Sequence, residues 1–373
     1  MRIALIEPFF SGSHRAWAEG YAQHSKYEVR IFSLSGHHWK WRMHGGAVTL
    51  ARMYMESHFQ ADVILASDML NLPVFLSITR KKTASTPVVL YFHENQLTYP
   101  WSPADPDAVA GRDNHYSFIN YASALVADHV FFNSQYHREA LLNALPQFLR
   151  AFPDYQETTT VRAIERKSSV LPLGLDLKQL GLQQHEAPSK PLRAVILWNH
   201  RWEYDKNPED FFNALFALQE RGIVFHLVVL GQKFDRYPPI FDEARQRLKE
   251  KILHFGFVEE KKEYGKWLQM SDILPVTSRQ DFFGASVVEA MYCNVVPLLP
   301  KRLAYPEHIP PQLHYTFFYT EDNSRAFINR LQRMIMDVKV LRKQNVAQFV
   351  EHYDWCSMAP RYDEALFSLT KGK

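Results

Sequence analysis

Short apolar runs recur along the chain in two series, each run followed by a stretch long enough for a helix, and this alternation constrains the fold more than any other property. In the first half the runs cover residues 2–6, 28–34, 63–66, 88–92 and 130–133. In the second they cover 193–198, 224–230, 252–257, 273–276 and 295–299. Apolar runs this short predict strands buried on both faces, and their alternation with helices predicts parallel sheets covered by helices. Two series therefore predict two open α/β sheets, each with a crevice at the carboxyl ends of its strands. The length agrees, since 373 residues exceed what one hydrophobic core ordinarily supports and 46% of them are apolar. No internal repeat of 20–50 residues is present.

Between residues 145 and 169 the pattern dissolves into a polar, basic, proline-interrupted segment, read as an insertion at the edge of the first domain. Residues 178–191, rich in Gln, Lys and Pro, are the best linker, which places a boundary near residue 187 and expects domains of 1–186 and 187–350. The tail, 325–342 and then 357–370, reads as helical, with a break near Tyr353, Asp354 and Trp355.

Composition excludes several classes. No apolar run is long enough to cross a bilayer, and Glu7 and Pro8 interrupt the first run before it can serve as a signal-peptide core, so a soluble, cytoplasmic protein is expected. Two cysteines, Cys293 and Cys356, are too few and too distant for a disulfide scaffold or a cysteine zinc site. With 43 basic and 40 acidic residues the net charge says little about nucleic acid. The local basic clusters, 80–82, 162–167, 249–251 and 261–262, read first as solvated helix ends or loops.

Three groups carry chemistry. Asp281, Phe282, Phe283, Gly284 and Glu289 follow the 273–276 run, where Gly284 opens a helix whose first amides attract phosphate or sugar oxygens. Asp281 can accept from sugar hydroxyls and Glu289 from a ribose diol, although a capping aspartate and a solvated glutamate would leave the same pattern. Arg201 and Lys206 follow the first run of the second series and suit a diphosphate, the alternative being two surface cations beside a turn. In the first domain Ser11, Gly12 and Ser13 follow the first run and His93 follows the fourth. The loop admits a phosphate or acceptor near the backbone, and the histidine can bond a sugar hydroxyl or move a proton. His14, His37, His38 and His44 carry less information. Asp105 and Asp107 lie in a proline-rich loop, where turn formation explains them better than a metal.

The order of these residues, with 171–176 reading Leu-Pro-Leu-Gly-Leu-Asp, resembles the retaining glycosyltransferases of the GT-B fold, in the group that includes glycogen-synthase-like and mannosyl enzymes. The resemblance spans almost the whole chain. It implies two Rossmann-like domains with parallel sheets facing a cleft: 1–186 for the acceptor, 187–350 for a nucleotide sugar, and 351–373 as a helix returning to the first domain. It also implies that Arg201 and Lys206 hold the donor diphosphate and that two acids with seven residues between them bind sugar and ribose; Phe283 and Gly284, beside the first acid, are expected at the donor. The first acid of that pair is a glutamate in the family and Asp281 here, one methylene shorter. More narrowly, residues 6–15 (Ile-Glu-Pro-Phe-Phe-Ser-Gly-Ser-His-Arg), 41–46 and 91–100 resemble the glycosyltransferase-like family associated with tRNA-queuosine α-mannosyltransferase.

That likeness implies GDP-mannose as donor, queuosine-bearing tRNA as acceptor, no metal, and front-face attack in which the leaving phosphate takes the acceptor's proton while His93 and Asp281 position the sugar. Trp39, Trp41, Arg42 and the basic stretch 150–167 are the candidates for anticodon contact. Two rivals stand beside this reading. One is a GT-B enzyme with a lipid or polysaccharide acceptor, against which no basic amphipathic helix for stable membrane association is evident. The other is a non-catalytic sugar-nucleotide or RNA-binding module.

Overall fold

The computed structural model describes residues 1–102, 105, 107, 110, 114–181, 189–320 and 323–371. It divides into two compact units, Met1–Leu175 with Trp355–Lys373, and Asp176–Asp354. The boundary expected near residue 187 lies outside the described residues.

The first unit holds strands β1 (Arg2–Phe10), β2 (Glu28–Ser35), β3 (Val63–Ser67), β4 (Val88–Phe92), β5 (His129–Phe132) and β6 (Ser168–Val170), parallel in the order β2-β1-β3-β4-β5-β6. β3 and β4 are buried at every residue, which is why they read as unbroken apolar runs. Ile6, Ile64, Leu90 and Phe132 pack in one core with Leu50, Tyr54, Phe75 and Leu141 from the helices. The chain runs from β1 outward to β2 and then crosses to β3 on the other side of β1, so the strand order switches between β1 and β3. Ligands of such sheets bind beyond the carboxyl ends at that switch.

The segment 145–169 is the last helix and strand of this sheet rather than an insertion. The helix Gln135–Arg150 runs on through Pro146, the helix Thr160–Arg166 buries Val161 and Ile164, and β6 pairs with β5. A single helical turn of apolar spacing followed by a half-exposed Ser-Ser-Val strand carries too little periodicity to stand out. The closing helix, Trp355–Thr370, belongs to this unit. Its Asp363 accepts from the Tyr21 hydroxyl at 2.9 Å and from the Lys26 amide at 3.0 Å. Trp355 sits against Gly20 and Gly174: a Cβ at either glycine would lie 2.0 or 2.3 Å from the indole.

The second unit holds β7 (Val195–Trp198), β8 (His226–Val229), β9 (Ile252–Phe255), β10 (Ile273–Pro275), β11 (Val296–Pro300) and β12 (Phe318–Tyr319), parallel in the order β12-β11-β10-β7-β8-β9. Its switch falls between β7 and β10. The two motif-bearing loops, 199–206 and 278–284, follow those two strands. Among the described residues no helix is long and apolar enough to cross a membrane.

Candidate active site

In the second unit, aromatic anchors set the loop after β7. The Trp198 indole donates to the His200 carbonyl at 2.9 Å, the Trp202 indole donates to the Leu230 carbonyl at 3.0 Å, and Trp202 stacks on Phe241 with centroids 4.2 Å apart. Gly231, at φ +99°, lets the β8 end approach so closely that a Cβ would meet the His200 oxygen at 1.9 Å. The loop then makes a short turn, Tyr204–Lys206, and enters the helix Pro208–Glu220 through Asn207 in the left-handed region.

Lys206 is buried, donating to the Gln280 carbonyl at 2.8 Å and facing Asp205 at 3.2 Å and Asp281 at 3.5 Å. The loop after β10 is laced to it, since the Arg279 amide donates to the Asp205 carbonyl at 2.8 Å and the Thr277 hydroxyl donates to the Asn207 carbonyl at 2.8 Å. Asp281 also accepts from the Tyr305 hydroxyl at 3.1 Å. Burial works against both charges, but Asp281 and Asp205 raise the Lys206 ammonium and Lys206 holds the Asp281 carboxyl below its ordinary range. A buried cation thus stands between carboxylates at the switch point. Arg201, half exposed, pairs with Glu203 at 3.0 Å.

Gly284 sits at φ +87° and caps the helix Ala285–Tyr292, with room for a Cβ only 3.0 Å from the Tyr305 ring. Phe283 is buried edge-on against His308 and Tyr353, and its carbonyl accepts from His308 at 2.5 Å, so its side chain is packing. Glu289 accepts from the Tyr264 hydroxyl at 3.0 Å, and burial raises its carboxyl. Around them, Asn199 Oδ1, His200 Nε2 and Gln280 Nε2 are buried without a hydrogen-bond partner. His200 bonds Ser286 through Nδ1 at 2.9 Å, and burial together with Lys206 pushes its ring down to about 4, so the ring is neutral near pH 7. Asn199, His200, Tyr264 and Tyr305 were not among the expected site residues. The first two adjoin Arg201 in sequence, while nothing local marks the tyrosines.

In the first unit, Ser11 precedes the helix Gly12–His24, and Gly36 lies against it, where a Cβ would meet Ser11 Oγ at 2.1 Å. Gly12, at φ +49°, and Ser13 are exposed. His93 is buried beyond β4, its amide donating to Asp68 Oδ1 at 2.8 Å and its carbonyl accepting from Asn133 at 2.9 Å. Its ring lies 4.3 Å from that of His14 and 4.5 Å from that of Trp17, and neither ring nitrogen has a partner. His14 bonds Glu7 at 3.0 Å; burial opposes its charge, yet Glu7 raises it to about 9. Burial pushes Asp68 up to about 8. Glu7, His14 and His93 bring ligand atoms within 4.8 Å of one another and are the described residues with which a cation would have to be held. A cation there would replace the proton that already bridges Glu7 and His14.

The expected RNA contacts divide. Trp41 is 64% exposed, with its ring laid on Gly45, where a Cβ would come within 2.7 Å of it. Trp39 packs with Trp101 and Tyr116, and Arg42 donates to the Ser35 carbonyl and hydroxyl. Lys167 donates to the Leu125 and Ala127 carbonyls, and Lys82 to those of Tyr54 and Ser57, which places both ammoniums in the fold. Asp105 and Asp107 both accept from Lys40.

Comparison with known proteins adds to this geometry. Residues 2–175 match the family model described as tRNA-queuosine alpha-mannosyltransferase N-terminal, and residues 183–347 match glycosyl transferases group 1. The chain is 32% identical to a Drosophila melanogaster tRNA-queuosine alpha-mannosyltransferase over 363 residues, covering 95% of this chain and 92% of that protein. It is 24% identical over 207 residues to the Xanthomonas campestris GDP-mannose:cellobiosyl-diphosphopolyprenol alpha-mannosyltransferase, covering 52% of this chain and 50% of that one. Among solved structures, Anabaena HepE in complex with UDP and glucose superposes with a TM-score of 0.67 at 15% identity, covering 99% of this chain and all of that one. Sucrose-phosphate synthase from Thermosynechococcus elongatus does so with a TM-score of 0.71 at 14% identity, over the whole of both chains. At such identities the superpositions establish the GT-B fold.

Proposed function

The chain belongs to the tRNA-queuosine alpha-mannosyltransferase family, and on that premise we propose that it transfers mannose from GDP-mannose, with retention, to the cyclopentenediol of queuosine in a tRNA anticodon. It is a glycosyltransferase. The observation that carries the donor reading is Lys206, a buried ammonium between Asp205 and Asp281 at the β7/β10 switch point. Together with Arg201 and the helix start at Gly284 it offers fixed positive charge where a diphosphate departs.

In this reaction the bond from the sugar's anomeric carbon to the diphosphate breaks and its electron pair leaves on the phosphate oxygen. The acceptor hydroxyl bonds to that carbon on the same face, and its proton passes to the departing phosphate. Asp281 and Glu289 accept from donor hydroxyls, the shorter Asp281 being held in place by Tyr305 and Lys206. His93, with the Ser11–Gly12–Ser13 loop, is the first unit's candidate to hold a reacting sugar or acceptor hydroxyl. Trp41 offers one open face to an unstacked base of the tRNA. With leaving-group charge met by Arg201, Lys206 and helix amides, the reaction requires no metal; a tRNA acceptor is consistent with a cytoplasmic setting.

A lipid-linked acceptor draws on the Xanthomonas relative, which aligns with about half of the chain. Purified protein is offered GDP-mannose or UDP-glucose with queuosine-containing tRNA, with and without EDTA. Transfer from GDP-mannose alone, unchanged by the chelator, is the expected result. Transfer only from the uridine donor overturns the donor assignment, and activity lost to EDTA but restored by a divalent ion overturns metal independence.

A further inference from the structure

Away from the catalytic loops, the second unit carries a groove of about 340 Å³ whose lining includes Tyr315, Arg330, Arg333 and Asp337. Tyr315 precedes β12 and so stands at the amino ends of the parallel strands, whereas the loops bearing Arg201, Lys206 and Asp281 follow β7 and β10 at the carboxyl ends. The groove is therefore no part of the donor site. Arg330 and Arg333 are three residues apart on the helix Ser324–Met336, a spacing that puts both side chains on one face.

Backbone carbonyls fix the Arg330 guanidinium, which donates to that of Tyr315 at 2.7 Å and to those of Thr316 and Phe318. A guanidinium has five N–H donors, so two remain after these three bonds. Burial and the neighbouring charge of Arg333 both lower Arg330, and no carboxylate offsets them, although Asp337 lines the same groove. Positive charge is thus uncompensated there. Beside it Tyr315 is 80% exposed, its backbone pinned to Arg330 and its ring left to solvent. Capping the short helix His314–Phe317 explains Arg330, but it explains neither the second arginine nor the open ring.

We infer that this groove binds an unstacked RNA nucleotide, Arg330 and Arg333 taking its phosphate and Tyr315 stacking on its base. An inorganic anion would use the arginines and leave the ring idle, and an apolar ligand would leave the charge unmet. A nucleotide satisfies both. The inference rests on the tRNA acceptor proposed above: a tRNA whose anticodon lies at the catalytic groups leaves most of its backbone to be met elsewhere. Because phosphate contacts carry no base identity, this one is indifferent to queuosine.

The test uses the full chain and one tRNA prepared with and without queuosine. Filter binding across a salt series gives Kd and its salt dependence for wild type, Arg333→Ala and Tyr315→Ala. Both side chains are exposed, and melting temperatures check that the variants fold. Arg333→Ala is expected to weaken both tRNAs alike, by at least about threefold, and to lower the salt slope by about 1. Tyr315→Ala is expected to weaken both by at least about fivefold with the slope unchanged. An affinity unchanged in either variant overturns the assignment, as does a loss confined to the queuosine-bearing tRNA. The acceptor reading fails separately: wild-type protein that binds tRNA but transfers no hexose defeats that reading, and the two variants still decide the groove. Wild-type protein that binds neither tRNA defeats both.

Discussion

Arg201 and Lys206 are offered to the same diphosphate but live in different surroundings, and that difference makes them separable. Arg201 is half exposed, so Arg201→Ala should reduce turnover by about 10²-fold or more while leaving the melting temperature unchanged. Lys206 is buried between two carboxylates, so Lys206→Ala should lose turnover by a similar factor and also destabilise the unit, by about 3–5 kcal/mol, because Asp205 and Asp281 are left facing each other. Steady-state rates with thermal melts on both variants check this, and wild-type rates from either would remove it from the donor site. The sequence displayed these two cations, Asp281 and Gly284 because each lies in the segment between a strand and the helix that follows it, and Glu289 by its spacing from Asp281. It did not display Tyr305 or Tyr264, which reach Asp281 and Glu289 from 24 and 25 residues away.

At the scale of elements, the helix Trp39–Glu56 carries the RNA prediction. Gly45 leaves space for the Trp41 ring to lie flat on the helix, which fixes one face and opens the other. Trp41→Ala should weaken tRNA binding by about 1–3 kcal/mol while donor hydrolysis is retained, and Trp39→Ala should act on stability instead, since Trp39 packs with Trp101 and Tyr116. Filter binding across a salt series measures both; equal effects on tRNA affinity would discount Trp41 as a platform. The strands were legible because β3, β4, β7 and β11 are buried from end to end, giving contiguous apolar runs. β6 was not, because an edge strand with three half-buried residues and one neighbour writes no such run. The same limit applied to the helix Thr160–Arg166, whose two buried positions make a single turn.

For the whole molecule, the buried charges of the first unit set how stability responds to pH. His14 is raised from 6.5 to about 9, with Glu7 prevailing over burial, so the folded state keeps a proton that the unfolded chain has lost. Asp68, raised by burial from 3.8 to about 8, has the same sign, with Glu94 and His93 also facing the cluster. Stability from His14 is complete below about pH 6.5 and declines as pH rises through about 9, and that from Asp68 declines toward pH 8. The melting temperature should therefore fall between pH 6.5 and 9, and less steeply in His14→Gln. A wild-type slope matched by that variant would contradict the assignment.

The two-unit α/β architecture and its switch points were legible in the alternation of runs, and the acceptor was legible only through family resemblance, because no residue spacing spells out queuosine. Purified protein is incubated with GDP-mannose and either queuosine-bearing tRNA or the same tRNA lacking queuosine, and the nucleosides are resolved by mass spectrometry. A queuosine nucleoside heavier by one hexose in the first sample and no hexosylated nucleoside in the second are expected; an unmodified first sample, or hexose on both tRNAs, would contradict transfer to queuosine.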